Sequence, residues 1–242
     1  MSSKKPGPTI SNRISTLDWT SISADLDARG AATIGPLLTA PECHALAALY
    51  DSDADFRSRI VMARHGFGSG EYKYFAYPLP ALVSDLRTAL YAHLAPVAST
   101  WMERMGSSTR FPEKHGDFLK RCHAAEQARP TPLLLRYDPG DYNCLHQDLY
   151  GPTVFPIQVA FLLSEPNVDF TGGEFVLVEQ RPRMQSRPEV FALRQGEAVI
   201  FAVNERPVSG TRGSYRVKMR HGVSRIRSGR RHTLGVIFHD AA

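Results

Sequence analysis

Residues 221–238 read H-G-V-S-R-I-R-S-G-R-R-H-T-L-G-V-I-F, a histidine followed by a basic, strand-forming segment. After a serine–glycine turn, residues 231–238 have the β-branched and aromatic content of a strand. Because side chains alternate between the two faces of a strand, Arg231 and Thr233 are predicted to share one face, with Arg230 on the other. A guanidinium there is suited to a bidentate contact with a carboxylate. This alternation, together with a position ten residues after the histidine, favours Arg231 over Arg230 for such a contact.

A second motif lies upstream, where His146 and Asp148 form an H-x-D pair within L-H-Q-D. The hydrophobic residues around the pair predict that it stands at a strand end, with both side chains on the same side. Two histidines and one carboxylate form the facial triad that holds non-haem Fe(II) and leaves the opposite positions open. An H-x-D pair alone is common by chance, but His221 and the strand that follows it supply the missing parts. We therefore predict that His146, Asp148 and His221 bind a metal.

Three more motifs stand in the same order along the chain: Tyr137-Asp138-Pro139-Gly140, residues 171–175 (T-G-G-E-F) and residues 195–201 (Q-G-E-A-V-I-F). With the metal-ligand pattern, they resemble the prolyl-4-hydroxylase-like branch of the 2-oxoglutarate- and Fe(II)-dependent dioxygenase superfamily. The resemblance covers residues 131–240. One departure is Glu197, where the branch usually has Asp.

The resemblance implies a set of partners and a chemistry. Fe(II), 2-oxoglutarate and O2 are the expected cofactors, with ascorbate as an auxiliary reductant. Arg231 is expected to bind the distal carboxylate of 2-oxoglutarate, and Tyr137 and Thr233 are the candidates for additional hydrogen bonds to it. For Tyr137, packing in the core is an equally good explanation. Decarboxylation of 2-oxoglutarate to succinate would then be coupled to oxidation of a substrate C–H bond. No catalytic residue beyond the metal ligands is predicted.

The order of the predicted elements indicates an α+β fold. We expect a double-stranded β-helix (jelly roll) backed by N-terminal helices, because a closed pair of sheets brings ligands at strand ends together at the open end between the sheets. We expect one structural domain in three parts: a flexible arm (1–15), a helix-rich part packing on the jelly roll (16–130) and the oxygenase core (131–242). The long helical pattern of residues 82–105 is expected to bend or break at Pro96.

Length and composition are typical of one soluble domain. With 242 residues, of which 43% are hydrophobic, the chain can bury a substantial core. No apolar run approaches the ~20 residues that span a bilayer, and the N-terminus lacks the apolar region of a secretory signal, so we expect a cytoplasmic protein without a membrane partner. The three cysteines form no C-x-x-C pair, and Cys144 is expected to be a small strand residue rather than a ligand. The sequence does not indicate an oligomeric state.

The uneven distribution of charged residues along the chain bears on the class of substrate. The formal net charge is +5, and residues 181–242 hold 13 Lys/Arg against 4 Asp/Glu. Such a field can attract a nucleic acid, or it can be a solvated strand face that helps to recruit 2-oxoglutarate. Residues 71–77 (E-Y-K-Y-F-A-Y) offer aromatic faces and a cation for stacking on a base, although one packed strand face explains them equally. The basic side chains near the second histidine are Arg206, Arg212, Arg216, Lys218, Arg220, Arg225 and Arg227.

Four functions remain open from sequence. Hydroxylation of a protein or peptide side chain is favoured by the branch that the motifs resemble. Oxidative demethylation of an alkylated nucleobase in DNA or RNA is favoured by the basic half and the aromatic segment. A small metabolite is a further substrate class. A non-catalytic jelly-roll binding module is the alternative of another kind, and the full set of ligands argues against it.

Overall fold

The computed structural model describes residues 7–211 and 213–242. Within these ranges the fold is α+β, with five α-helices in the first half and strands along the whole chain. The helices are α1 (Ile10–Ser15), α2 (Trp19–Arg29), α3 (Ala40–Ala48), α4 (Ala81–Arg104) and α5 (His115–Ala124). The strands are β1 (Ala31–Ile34), β2 (Phe56–Val61), β3 (Gly68–Ser69), β4 (Glu71–Phe75), β5 (Leu133–Tyr137), β6 (Tyr142–His146), β7 (Ile157–Leu162), β8 (Phe170–Gly172), β9 (Phe175–Gln180), β10 (Arg187–Phe191), β11 (Ala198–Ala202), β12 (Glu205–Gly210), β13 (Gly213–Val223), β14 (Ile226–Gly229) and β15 (Arg231–Val236).

Two large antiparallel sheets contain most of the strands. The first has seven strands in the order β1-β11-β7-β15-β5-β4-β2. The second has six, in the order β10-β9-β13-β6-β3 with β12 paired to β13, and β14 pairs with β8 in a separate ribbon. From β5 onward the chain alternates between the large sheets, because β5, β7, β11 and β15 belong to the first while β6, β9, β10 and β13 belong to the second. The predicted α+β class, with antiparallel sheets, is confirmed.

The seven-stranded sheet is covered on both faces. Every residue of β7 and of β11 is buried, as expected for strands that are apolar along their whole length. Helices α2, α3 and α4 contact this sheet at β1, β11 and β15. Strands β1, β2 and β4 come from the first half of the chain and join the same sheet as the later strands, so no sheet boundary falls at residue 130.

Two local predictions need correction. Residues 10–15, assigned to a flexible arm, form α1, because Ile10 and Ile14 lie four positions apart, are buried, and belong to a helix that packs on α4. Residues 1–6 of that arm lie outside the described residues. Helix α4 runs through Pro96 without a break, so the expected break is wrong and the other alternative, a bend, stays a prediction. Its inner face, including Leu94 and Ala98, is buried, so packing compensates for the hydrogen bond that proline cannot donate.

Helix α3 begins with a side-chain cap on its first turn. Thr39 accepts a hydrogen bond from the Glu42 backbone, and the Glu42 carboxylate accepts one from the Thr39 backbone, which together form a capping box. Among the helices of the described ranges, none has the length and apolar character needed to cross a membrane.

Candidate active site

A cavity of about 200 Å³ opens between the two large sheets. Its wall on the seven-stranded sheet is made by inward-facing residues of β4, β5, β7, β11 and β15, and the facing wall comes from β6, β9 and β13. All six site residues predicted from the sequence line this one cavity: Tyr137, His146, Asp148, His221, Arg231 and Thr233.

The three predicted metal ligands form a compact cluster. One ligand atom from each of His146, Asp148 and His221 lies within 4.8 Å of the others, so the three could hold one metal ion. The two imidazole rings are 4.2 Å apart between centroids. The carboxylate of Asp148 lies between them, 3.5 Å from Nε2 of His146 and 3.4 Å from Nε2 of His221.

Strand register places the two histidines side by side. His221 on β13 pairs with His146, the last residue of β6. The next pair is Val223 with Asn143, so β6 contains an extra residue at this point, a β-bulge. The bulge turns both Asn143 and His146 into the cavity and leaves Cys144 exposed. The cysteine is outside the metal-ligand cluster, in agreement with its predicted role.

Asp148 lies beyond the strand end, so strand alternation does not place it as the sequence predicted. Its carboxylate accepts a hydrogen bond of 2.7 Å from the Tyr150 hydroxyl, and the Tyr74 hydroxyl lies 3.0 Å from that of Tyr150. The Gln147 amide between the two ligands donates to Asn204 Oδ1 and to a β13 carbonyl, both at 2.8 Å. These contacts fix the turn that brings the carboxylate back to the histidines.

The loop after Asp148 is held by Gln127, a residue that no sequence motif singles out. Gln127, fully buried, donates to the Thr153 carbonyl at 3.0 Å and to the Asp240 carbonyl at 2.7 Å, and it accepts from the Thr153 backbone. A Cβ added at Gly151 would lie 2.5 Å from the Gln127 side chain. The contacts join segments far apart in sequence, so no local pattern could have revealed them.

Electrostatics favour a cation at the cluster. Burial raises the pKa of Asp148, but its interactions with the two histidines outweigh burial and hold that pKa well below its usual range. Burial and the neighbouring His146 lower the pKa of His221. Although burial lowers the pKa of His146, the nearby Asp148 carboxylate raises it overall. An ionised carboxylate and imidazoles that can deprotonate are the forms that bind a divalent metal.

Arg231, the first residue of β15, is 2% exposed and pairs with no carboxylate among the described residues. It donates a hydrogen bond to Thr233, while its Nε has no partner. Burial lowers the pKa of this guanidinium to about 10. Gly173 makes room for it, because a Cβ there would lie 2.9 Å from Arg231 Cδ and the backbone φ is +66°. A buried cation without a counter-ion is costly, and an anionic ligand would remove that cost.

Tyr137 and Arg230 lie where the strand pattern predicts. Tyr137 is register-paired with Arg231, is buried, and accepts a 3.4 Å hydrogen bond from the Asn143 amide. Burial raises the pKa of its phenol. Arg230 is exposed and pairs with Asp138 at 2.7 Å, so Arg231 and not Arg230 faces the cavity.

The basic residues of the second half divide into two groups. Arg206 is buried and pairs with Glu179, so it belongs to the fold and not to a surface field. Arg216 pairs with Glu205. Arg212 lies outside the described residues. Four of the basic residues near His221 are exposed and have no ion pair with described residues: Lys218, Arg220, Arg225 and Arg227. Arg225 donates a hydrogen bond to the Gly140 carbonyl and lies over the Tyr142 ring. We call the other three the basic strand face: Lys218 and Arg220 on β13, and Arg227 on β14.

For the aromatic segment of residues 71–77, the second of the two alternatives holds, because the segment is mainly a packed strand. Tyr72 lines the cavity, and Tyr74 is buried. Lys73 points to the opposite face, where it is buried and pairs with Asp53 at 2.6 Å, so it is not available to a base. Another aromatic residue stands at the cavity: Phe67 is 48% exposed and stacks on His65.

Comparison with known proteins assigns the family. The model of the Oxygenase-NA family, described as "Oxygenase, catalysing oxidative methylation of damaged DNA", matches residues 70–241. An uncharacterised protein of Mycobacterium tuberculosis (strain H37Rv) is 49% identical over 168 residues, which is 69% of this chain and 72% of the relative.

Two solved structures show the same fold. A Pseudomonas putida prolyl-4-hydroxylase is 16% identical, with a TM-score of 0.54, over 93% of this chain and 99% of that one. An oxidoreductase of the 2OG-Fe(II) oxygenase family from Burkholderia pseudomallei is 17% identical, with a TM-score of 0.52, over 94% of each chain. The resemblance predicted from the sequence motifs is confirmed, and the binding-module alternative gives way to an enzyme. This chain belongs to the Oxygenase-NA family of oxygenases.

Proposed function

We propose that this protein is a 2-oxoglutarate- and Fe(II)-dependent dioxygenase, and that its two large sheets form a double-stranded β-helix. The observation that carries the proposal is the meeting of two features in one cavity, the His146, Asp148 and His221 cluster and the unpaired, buried Arg231. The alternation of β5 to β15 between the two sheets supports the β-helix.

The cluster fits Fe(II). Two imidazoles and one carboxylate are the donor set of the non-haem Fe(II) facial triad, which leaves positions open for other ligands. The Nδ1 atom of His146 lies 2.8 Å from the Cys144 carbonyl, so Nε2 is the atom free to bind a metal, and it faces Asp148. No second acidic residue belongs to the cluster among the described residues, so the site retains the open side that the triad needs.

The far end of the cavity fits the distal carboxylate of 2-oxoglutarate. Arg231 would bind this carboxylate, with the Thr233 hydroxyl and the Tyr137 phenol as hydrogen-bond partners. Among the described residues, the Nε of this guanidinium has no hydrogen-bond acceptor and its charge has no counter-ion. A bound carboxylate would supply both the acceptor and the negative charge.

Bound iron and 2-oxoglutarate would supply the oxidising chemistry, in which O2 provides one oxygen atom to succinate and one to the substrate, with release of carbon dioxide. The protein's own residues do the rest. His146, Asp148 and His221 hold the metal on one side, and Arg231 fixes the orientation of the cosubstrate. Apolar walls exclude water from the reacting groups; they include Leu133, Leu135, Val159 and Phe201.

As substrate we propose an alkylated nucleobase in DNA or RNA. The family is described as acting on damaged DNA, and the basic strand face offers a surface for phosphates. Phe67 and Tyr72 add aromatic faces beside the cavity for a base taken out of its stack. Oxidation of an N-methyl group would give a hydroxymethyl group, which breaks down to formaldehyde and the unmodified base.

Peptide hydroxylation is the second candidate. It is favoured by the Tyr137-x-x-Gly140 spacing upstream of His146, which resembles the prolyl-4-hydroxylase-like branch. This function requires the same iron and 2-oxoglutarate sites, so only the substrate distinguishes the two.

Succinate release tests the proposal. The purified protein with Fe(II), 2-oxoglutarate and ascorbate is given a single-stranded oligonucleotide containing N1-methyladenine or N3-methylcytosine, the unmethylated oligonucleotide, or a proline-rich peptide. We expect only the methylated oligonucleotides to raise succinate release above the rate without substrate, and formaldehyde to form in an amount equal to that increase. If succinate release rises with the peptide and not with the oligonucleotides, the substrate is a peptide and not a nucleobase. No 2-oxoglutarate turnover under any condition would reject the dioxygenase itself.

Salt dependence tests the basic strand face separately. Replacing Lys218 or Arg220 by alanine should flatten the plot of log affinity against log salt by about 0.7 for each lost phosphate contact on a single strand. Lys120→Ala is the matched control, because Lys120 is an exposed lysine on α5. Equal slopes for all three variants would show that this face does not contact the nucleic acid.

A further inference from the structure

One buried polar side chain in the cavity has no role in the chemistry described above. Gln158 lies on β7, in the middle of the seven-stranded sheet, and is 3% exposed. Its side chain lines the cavity, and its Nε2 has no hydrogen-bond partner among the described residues. An unsatisfied amide in the interior is destabilising, so Gln158 is not explained by a contribution to folding.

Strand register fixes the position of Gln158 relative to the cosubstrate end. Thr233, the partner of Arg231, is paired across the sheet with Leu162, and Gly235 is paired with Ala160. Gln158 follows on the same inward face of β7, four residues from Leu162, which is roughly 13 Å along the strand. A five-carbon dicarboxylate held at Arg231 is too short to extend past the metal to this point. The free amide therefore faces a part of the cavity that 2-oxoglutarate leaves open.

Gln158 is nevertheless close to the metal cluster. It is register-paired with Phe201, and the Phe201 ring lies 4.6 Å from the His221 ring between centroids. Aromatic side chains line the same cavity, among them Tyr72 and Tyr150. When a flat ring binds between aromatic side chains, the protein can distinguish it from other rings mainly by the polar atoms on its edge. A glutamine amide is well suited to reading the edge of a nucleobase.

We propose that Gln158 is a specificity-determining residue, which donates a hydrogen bond from its amide to an acceptor atom on the ring of the base being oxidised. This inference rests on the proposed nucleobase substrate. It explains why a buried amide is left unpaired, because the substrate supplies the missing acceptor. An apolar residue at this position would bind the ring without distinguishing its edge.

The test compares Gln158→Leu with the wild-type protein in the presence of iron. Leucine retains the volume but removes the hydrogen bond. We expect the kcat/KM for the methylated oligonucleotide to fall by roughly 5- to 150-fold, the range for a lost buried hydrogen bond. The KM for 2-oxoglutarate and the rate of succinate release without substrate should not change. Melting temperature should stay level or rise, since an unsatisfied amide has been removed.

Two further variants keep the result interpretable. Gln180→Leu makes the same chemical change at an exposed position of β9 and should match the wild type. Gln158→Asn keeps the amide but shortens the side chain by one methylene, and should lose activity to a smaller extent than Gln158→Leu. If Gln158→Leu does not fold, Gln158→Asn gives the same comparison.

Substrate analogues identify the acceptor. Oligonucleotides with 3-deaza or 7-deaza N1-methyladenine each lack one ring nitrogen that can accept a hydrogen bond. For one of the two analogues, the kcat/KM of the wild type should be lower than for N1-methyladenine by the same factor that Gln158→Leu causes. With that analogue, Gln158→Leu should have the same kcat/KM as the wild type, because the hydrogen bond is already absent.

The outcomes separate this inference from the proposed function. A wild-type protein that oxidises methylated bases, with Gln158→Leu equally active, would overturn the role of Gln158 and leave the function standing. A wild-type protein that turns over 2-oxoglutarate but oxidises no nucleobase would reject both the substrate and this reading of Gln158. A parallel loss of uncoupled succinate release in Gln158→Leu would also overturn it, because the residue would then serve the cosubstrate.

Discussion

Replacing Arg231 by alanine separates cosubstrate binding from metal binding. Arg231 is 2% exposed, donates to Thr233 and has no protein carboxylate as a partner, so its unused hydrogen-bonding capacity faces the cavity. If 2-oxoglutarate supplies the anion, Arg231→Ala loses a charge-assisted contact worth about 1.5–3 kcal/mol. At about 1.4 kcal/mol for each factor of ten, the apparent KM for 2-oxoglutarate should rise roughly 10- to 150-fold.

The assay is succinate release at a series of 2-oxoglutarate concentrations, with Fe(II) content measured on the same samples. Iron binding should survive, because Arg231 is not part of the metal cluster. The matched control is Arg230→Ala, which removes the exposed neighbour that pairs with Asp138 and should change the KM little. A KM for 2-oxoglutarate that rises with Arg230→Ala and not with Arg231→Ala would contradict this prediction, because it would mean that Arg230 and not Arg231 faces the cosubstrate.

Two other predictions concern residues around the site and in the core. Tyr150→Phe removes the hydroxyl that donates to Asp148, so Fe(II) affinity in anaerobic titration should fall by about 10- to 100-fold. The matched control is Tyr50→Phe, which makes the same change at a buried tyrosine outside the cavity lining and should leave the affinity unchanged. Equal Fe(II) affinities for the two variants would contradict this role of Tyr150. His115 is buried, and burial lowers its pKa to about 4, below the value of 6.5 for the unfolded chain. Its contribution to the free energy of unfolding is therefore complete above pH 6.5 and is lost as the pH falls toward 4, by at most about 1.4 kcal/mol per pH unit. His115→Gln should give a shallower pH dependence in urea unfolding, and an unchanged slope would exclude His115 as a source of acid sensitivity.

The parts of the site that the sequence predicts are those that depend on local spacing. The alternation of Arg231 and Thr233 follows from strand geometry alone, and the structure shows both residues on the inner face of β15. His146 and His221 were brought together by motif order, and they are register partners on adjacent strands. Period-2 geometry is enough for Arg231 and Thr233, and motif order is enough for the two histidines.

The remaining features depend on contacts between distant segments. Asp148 is positioned by Tyr150 and by a loop anchored on Gln127, and neither contact has a local pattern. Arg206 was counted with the surface charges, but its pairing with Glu179 across the sheet places it in the interior. The unpaired amide of Gln158 could not be seen either, because a polar residue in an apolar strand gives no sign of whether it has a partner.

Iron content of the purified protein, measured after anaerobic loading with Fe(II) and removal of free metal, tests the central claim most directly. The cluster of His146, Asp148 and His221 predicts one Fe(II) per chain in the wild type, and loss of most of it in His146→Ala and in His221→Ala, since each variant retains only two of three ligands. Unchanged iron stoichiometry in both variants would contradict the assignment of this cluster as the metal centre.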